Sequence, residues 1–162
     1  VMVGDGSYLM LGNEIITSIQ EGFKLTILMM DNSGFNSIGG LSRSLGQDGF
    51  GTRYAFPKEQ RLPSDGDGED VKALPVDLAM SAKALGAHVI ECETLDDFQK
   101  ALQDSKSIDH TTVIYIRNDR YVGVPGYESW WDVPVAEVSE MESVRASRTR
   151  WAEKRPSEKY FL

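Results

Sequence analysis

The feature that most constrains this chain is an apolar run, Val1-Met2-Val3, that stops at Gly4-Asp5-Gly6-Ser7. Such a run, broken by a Gly-Asp-Gly turn, reads as the last residues of a buried strand. A helical pattern follows at once. Ile15, Ile16, Ile19 and Phe23 fall at one-face spacing, and Gly22 supplies a C-terminal stop. Leu25-Thr26-Ile27-Leu28-Met29-Met30 then reads as a second buried strand, ending at Asp31-Asn32-Ser33-Gly34. Strand, helix and strand in this order form a crossover that returns the chain parallel to its first strand, so both strands end on the same edge of the sheet.

Asp5 and Asn32 are therefore expected at equivalent strand ends. Neighbouring strands lie about 4.8 Å apart, which lets a carboxylate and a carboxamide reach one small cation. Oxygen ligands of this kind suit magnesium, which completes its octahedron with phosphate oxygens and water. Gly6 and Ser7, opening the helix, would offer backbone N–H groups to the same phosphates. A lone Gly-Asp-Gly-Ser is more often an ordinary turn. The pairing carries the argument, because Asn32 must fall at the right strand end, and twenty-five residues separate it from Gly6.

With that spacing the residues resemble the thiamine diphosphate-dependent enzymes, whose pyrophosphate-binding domain carries a Gly-Asp-Gly motif followed after a similar interval by an asparagine. The resemblance implies that Asp5 and the Asn32 side chain ligate Mg²⁺ and that the Gly34 carbonyl is the third protein ligand. It also implies that Gly6 and Ser7 contact the diphosphate. One departure is visible: many members have two asparagines where this chain has Asp31-Asn32, and the ligand is normally the second of the pair. The stretches Ser37-Ile38-Gly39-Gly40-Leu41-Ser42-Arg43-Ser44 and 122–133, Val-Gly-Val-Pro-Gly-Tyr-Glu-Ser-Trp-Trp-Asp-Val, are similar to one branch, the trihydroxycyclohexane-1,2-dione hydrolases of myo-inositol breakdown.

For that branch the resemblance implies thiamine-dependent opening of a cyclic 1,2-diketone to a 5-deoxy-glucuronic acid, with the cofactor as electron sink. The chain would be the C-terminal third or so of a homo-oligomeric enzyme. Its activating glutamate lies in a pyrimidine-binding domain contributed by a partner subunit, so no catalytic residue is assigned here and the chain alone is expected to be inactive. An acetolactate synthase-like or decarboxylating enzyme would keep the same metal site. A non-catalytic phosphate- or nucleotide-binding module is the reading from another class, and a structural remnant assembling through Trp130 and Trp131 is a third.

Length and charge narrow the field. A chain of 162 residues buries one core of ordinary size. Its opening inside a strand, with no methionine start, looks like a piece of something longer. The absence of a twenty-residue apolar run or a signal-peptide pattern leads to the expectation of a soluble cytoplasmic protein. The net charge of −8 disfavours nucleic acid and anionic membranes as partners. Basic residues cluster in the tail, where Arg145, Arg148, Arg150, Lys154 and Arg155 alternate with Glu140, Glu142 and Glu153 as on a solvated helix face. The single cysteine, Cys92, reads as a packed thiol, and the two histidines, His88 and His110, lack zinc-ligand spacing.

The remaining chain alternates helices and strands. Phe35 to Tyr54, rich in glycine and without a sustained period, is expected to be a long loop that closes over the cofactor. Pro63 to Asp70 fails the calcium-loop spacing, because Asp70 stands where a glycine is needed, and reads as an exposed acidic loop. Pro75 and Asp77 open a helix carrying Leu78, Ala79, Ala82 and Leu85, and Gly86 stops it. A strand from Ala87 to Cys92 precedes a Thr94 to Asp97 capping box and a helix that buries Phe98, Ala101 and Leu102. Thr111 to Ile116 is a further β-branched strand. The fold class expected is α/β: a doubly wound, mostly parallel sheet with helices on both faces and ligands at the carboxyl ends of the strands. Residues 1–162 form one pyrophosphate-binding domain, with 118–162 a C-terminal extension packed on it. In that extension, Trp130 and Trp131 are expected to fold onto their own domain, and Met141, Val144, Arg148 and Trp151 mark a helix docked along the outside.

Overall fold

A computed structural model describes residues 1–58, 71–125 and 130–159. They fall into two compact units, 1–35 with 73–121 and 36–72 with 122–162. The first unit holds the sheet. Its strands are β1 (Met2–Gly4), β2 (Thr26–Asp31), β3 (His88–Cys92) and β4 (Thr112–Arg117), in the spatial order β1-β2-β4-β3. Every pairing is parallel, and β4 inserts between β2 and β3 with Leu28 opposite Ile114 and Ile90 on its other side. The order reverses direction after β3, which is what places helices on both faces of a doubly wound sheet.

Side-chain alternation along the strands feeds two cores. Met29, Val113 and Tyr115 point to one face with Tyr8, Ile15, Leu78, Ala79 and Ala82, from α1 (Asp5–Leu11), α2 (Glu14–Gln20) and a helix Leu78–Ala84. Ile114 and Cys92 point to the other, against Ala101, Phe98 and Leu102 of a helix Leu95–Asp104. The helix termini are set by chemistry legible in the sequence. Asp77 accepts the Met80 N–H at 2.7 Å, which makes it the N-cap rather than a first-turn residue. Thr94 and Asp97 form the reciprocal capping box.

Three expectations for this unit are corrected. The first crossover is two short helices broken at Gly12-Asn13, and the second ends at Gln20, before the expected stripe reaches Phe23. Ile15 is buried and Ile19 packs at the rim of the core, whereas Ile16 and Phe23 are exposed. Gly22 does stop the second helix. It takes φ 70°, and the bonds Phe23 N–H to Ser18 C=O and Gly22 N–H to Ile19 C=O close a Schellman turn. The strand at Val1-Met2-Val3 is not buried: β1 is the sheet edge, with Val1 and Met2 exposed and only Val3 against the core.

The second unit carries α3 (Asn36–Ser44) and a C-terminal helix, Glu142–Lys154. The loop expected from Phe35 to Tyr54 is thus helical over nearly its first half, despite the Gly39-Gly40 pair that lowers helix propensity by about 1 kcal/mol per glycine. Within the C-terminal helix Val144 and Ser147 are buried, Arg148 stacks on the Trp151 ring at 4.4 Å, and Met141 is an exposed N-cap. Trp130 is half-buried and Trp131 is 70% exposed, against the expectation that both fold inward. Both line a cavity of about 580 Å³ with Trp151, Leu41, Arg150 and Lys154. The acidic run 63–70 and part of 122–133 lie outside the described residues.

Candidate functional site

The site grows from the register of the first two strands. Gly4 pairs with Met30, so the chain leaves β1 as Asp5 and leaves β2 as Asp31-Asn32 on one edge of the sheet. Asp5 opens α1 and is 1% exposed, while Gly6 beside it is buried for a steric reason. A Cβ on Gly6 would come within 2.5 Å of Cδ1 of the Phe35 ring, so only glycine lets this turn pack under the loop that follows β2. Ser7 is exposed at the same helix end.

The two motifs meet in one hydrogen bond: the Gly34 N–H donates to Oδ2 of Asp5 at 2.7 Å, across 29 residues of sequence. Getting there bends the chain hard. Ser33 takes φ 61°, a left-handed conformation uncommon outside glycine, asparagine and aspartate. Two groups hold that bend. Asp31 Oδ1 accepts the Ser33 N–H at 2.7 Å, an Asx turn, and the nearly buried Arg120 donates from Nη1 to the carbonyls of both Asn32 and Ser33 at 2.9 Å. The outcome is that Asn32 Oδ1 is buried and has no hydrogen-bond partner among the described residues. An amide oxygen left this way costs about 1–3 kcal/mol.

The electrostatics point the same way. Burial pushes the Asp5 carboxyl above the usual carboxylate range; the Gly34 N–H opposes this, and the neighbouring Asp31 charge adds to it. Asp31 Oδ2 in turn accepts from Tyr115 Oη at 2.5 Å, and Arg117 Nε donates to that tyrosine oxygen at 3.1 Å. Burial raises the Tyr115 phenol to about 12, with Asp31 adding and Arg117 opposing, so it stays a donor at neutral pH. Two buried acids and an unsatisfied amide oxygen make a hard, oxygen-only donor set of the kind that binds Mg²⁺ or Ca²⁺ rather than a soft metal.

The site residues expected from the sequence, Asp5, Gly6, Ser7, Asn32 and Gly34, all lie at this one sheet edge, with Asp5 and Gly34 in direct contact. Sequence reasoning missed Phe35, Arg120, Tyr115 and Arg117. Tyr115 and Arg117 end β4, whose register sets Arg117 opposite Asp31, so their place could have been found once β4 was put next to β2. Nothing local in the sequence marks Arg120.

The family model for the thiamine pyrophosphate enzyme C-terminal TPP-binding domain matches residues 1–116. The chain is 40% identical over 146 residues to proteins named 3D-(3,5/4)-trihydroxycyclohexane-1,2-dione hydrolase from Bacillus cereus (strain AH820) and Bacillus anthracis (strain CDC 684 / NRRL 3495), a match covering 90% of this chain and 22% of each relative. It therefore spans about a fifth of the length of these curated relatives. Among solved structures, benzoylformate decarboxylase from Polynucleobacter necessarius superposes with a TM-score of 0.54 at 18% identity, covering 75% of this chain and 20% of that one. A thiamine diphosphate-dependent 4-hydroxybenzoylformate decarboxylase from Rhodococcus jostii RHA1 gives 0.54 at 19%, covering 73% and 19%; at such identities the likeness is one of fold. By its sheet, its paired motifs and the match over 1–116, this chain belongs to the thiamine diphosphate enzymes, as their C-terminal cofactor-binding domain.

Proposed function

We propose that Asp5, the side chain of Asn32 and the carbonyl of Gly34 ligate one Mg²⁺, and that the N–H groups of Gly6 and Ser7 meet the diphosphate of the same cofactor. The observation that carries this is the buried, unpartnered Oδ1 of Asn32 at the sheet edge where Asp5 is tied to Gly34. A divalent cation there would satisfy that oxygen and neutralise the neighbouring acids, which gives the arrangement a reason to exist.

When bound, thiamine diphosphate supplies a thiazolium electron sink for cleaving a bond next to a carbonyl. The residues of this chain supply position. Arg120 and Asp31 fix the turn that bears Asn32 and Gly34, Phe35 sets the depth of Gly6, and the result is a rigid seat for a doubly charged end group. The glutamate that would activate the cofactor's aminopyrimidine belongs, on this reading, to a pyrimidine-binding domain from a partner subunit of a homo-oligomeric enzyme.

For the whole enzyme, the substrate reading is opening of the trihydroxycyclohexane-1,2-dione ring to 5-deoxy-glucuronic acid in inositol catabolism, in the cytoplasm. The names of relatives 40% identical over 90% of the chain support it. Residues 118–162 are then the C-terminal extension of the domain. A screen of the full-length enzyme against cyclic 1,2-diketones, pyruvate and aromatic 2-keto acids tests this. Ring opening of the cyclic diketone is expected, and turnover confined to 2-keto acids would reassign the chain to the synthase or decarboxylase branches.

A further inference from the structure

Asp31 ends β2 as a buried acid at the same sheet edge as Asp5. The residue is 6% exposed, its carboxylate neighbours that of Asp5, and among the described residues neither acid forms an ion pair. What holds it is a set of directed hydrogen bonds. The Ser33 N–H donates to Oδ1 and Tyr115 Oη to Oδ2, Arg117 Nε donates to the same phenol oxygen, and the Asn118 N–H donates to the Asp31 carbonyl at 2.7 Å. These bonds fix the carboxylate at the strand end, next to Asp5. Two carboxylates, one from each strand end, thus stand where a single divalent cation is read to bind.

We propose that Asp31 is a positioning residue of the cation site: held by Tyr115 and Arg117, it shapes the turn that presents Asn32 and Gly34, and supplies a second negative charge that strengthens cation binding at Asp5. This rests on the cation reading given above. It separates two roles that an aspartate can play. An asparagine at this position would make the same Asx turn through its amide oxygen, since both residues form such turns. It would not carry the charge.

The test is Asp31→Asn in the full chain, with Mn²⁺ binding followed by electron paramagnetic resonance and thermal unfolding recorded in EDTA. The variant is expected to bind Mn²⁺ about tenfold more weakly, the effect of removing one unit charge a few ångströms from a divalent ion in a largely aqueous medium. Its metal-free unfolding reports the cost of the acceptor that Tyr115 Oη loses, partly offset by relief of the repulsion with Asp5. Tb³⁺ luminescence adds a second readout: the loss should be larger for the trivalent ion than for Mn²⁺, since the interaction scales with cation charge. Equal Mn²⁺ affinity in the two chains, or an equal loss for Mn²⁺ and Tb³⁺, would each overturn the charge role and leave Asp31 a turn residue. Failure of the native chain to bind Mn²⁺ at all would overturn the cation site itself, a result distinct from these.

Discussion

Asp5 and Gly34 are joined by a 2.7 Å hydrogen bond from the Gly34 N–H to Oδ2 of Asp5, and this single contact brings the ends of β1 and β2 into one site. Asp5→Ala removes both the acceptor for that N–H and a proposed metal ligand. A buried donor left unpaired costs about 1–3 kcal/mol. Urea denaturation of the metal-free chain should show destabilisation of that size, partly offset by relief of the Asp5 and Asp31 repulsion.

The contact between Gly6 and Phe35 makes a separate prediction. With a Cβ meeting the ring at 2.5 Å, Gly6→Ala must push Phe35 aside, at about 1–3 kcal/mol for overpacking. Gly6→Ala combined with Phe35→Leu should recover part of that loss in the same denaturation experiment. No recovery would mean that the strain lies in the backbone of the turn.

Arg120 offers the means to loosen the turn without touching a proposed ligand. Its Nη1 bonds to the Asn32 and Ser33 carbonyls are charge-assisted and nearly buried, a setting in which each is worth about 1.5–3 kcal/mol. Arg120→Gln should weaken Mg²⁺-dependent binding of thiamine diphosphate by tenfold or more in calorimetry, because the left-handed Ser33 is no longer pinned.

The pH dependence has a definite sign. Asp5 has a folded-state pKa raised above its ordinary value, chiefly by burial, so between the two values the native chain binds more protons than the unfolded one. Stability from this group therefore falls as pH rises through that window. Relative to Asp5→Asn, the metal-free chain should lose unfolding midpoint on going from acid to neutral pH, and saturating Mg²⁺ should remove the difference in slope.

Thr94→Ala serves as a control that leaves Asp5, Asn32 and Gly34 untouched. It breaks the capping box with Asp97 and should cost about 1 kcal/mol of stability in urea, with thiamine diphosphate affinity unchanged.

Much of this arrangement is legible in sequence where physics is local. Motif spacing, the apolar strand runs and the caps at Thr94 and Asp77 depend on near neighbours in the chain, and they place Asp5, Asn32 and Gly34 on one sheet edge. What sequence misses depends on pairing across the sheet. That Tyr115 reaches Asp31 needs β4 inserted between β2 and β3, and that Arg120 grips two carbonyls 87 and 88 residues earlier has no local signature. The helix Asn36–Ser44 was hidden by Gly39-Gly40, a pair whose low propensity reads as loop. Ile16 and Phe23 matched a helical period, but Ile16 lies one residue round α2 from buried Ile15 and Phe23 lies past the Gly22 stop.

The central claim is that Asp5 and Asn32 together hold a cation that anchors a diphosphate. Titration calorimetry of thiamine diphosphate into the full chain, with Mg²⁺ and with EDTA, tests it most directly when repeated on Asp5→Ala and Asn32→Ala. Binding is expected in the native chain only when Mg²⁺ is present, and its loss in both variants while their circular dichroism stays native. Undiminished binding in EDTA, or in folded Asn32→Ala with Mg²⁺, would contradict it.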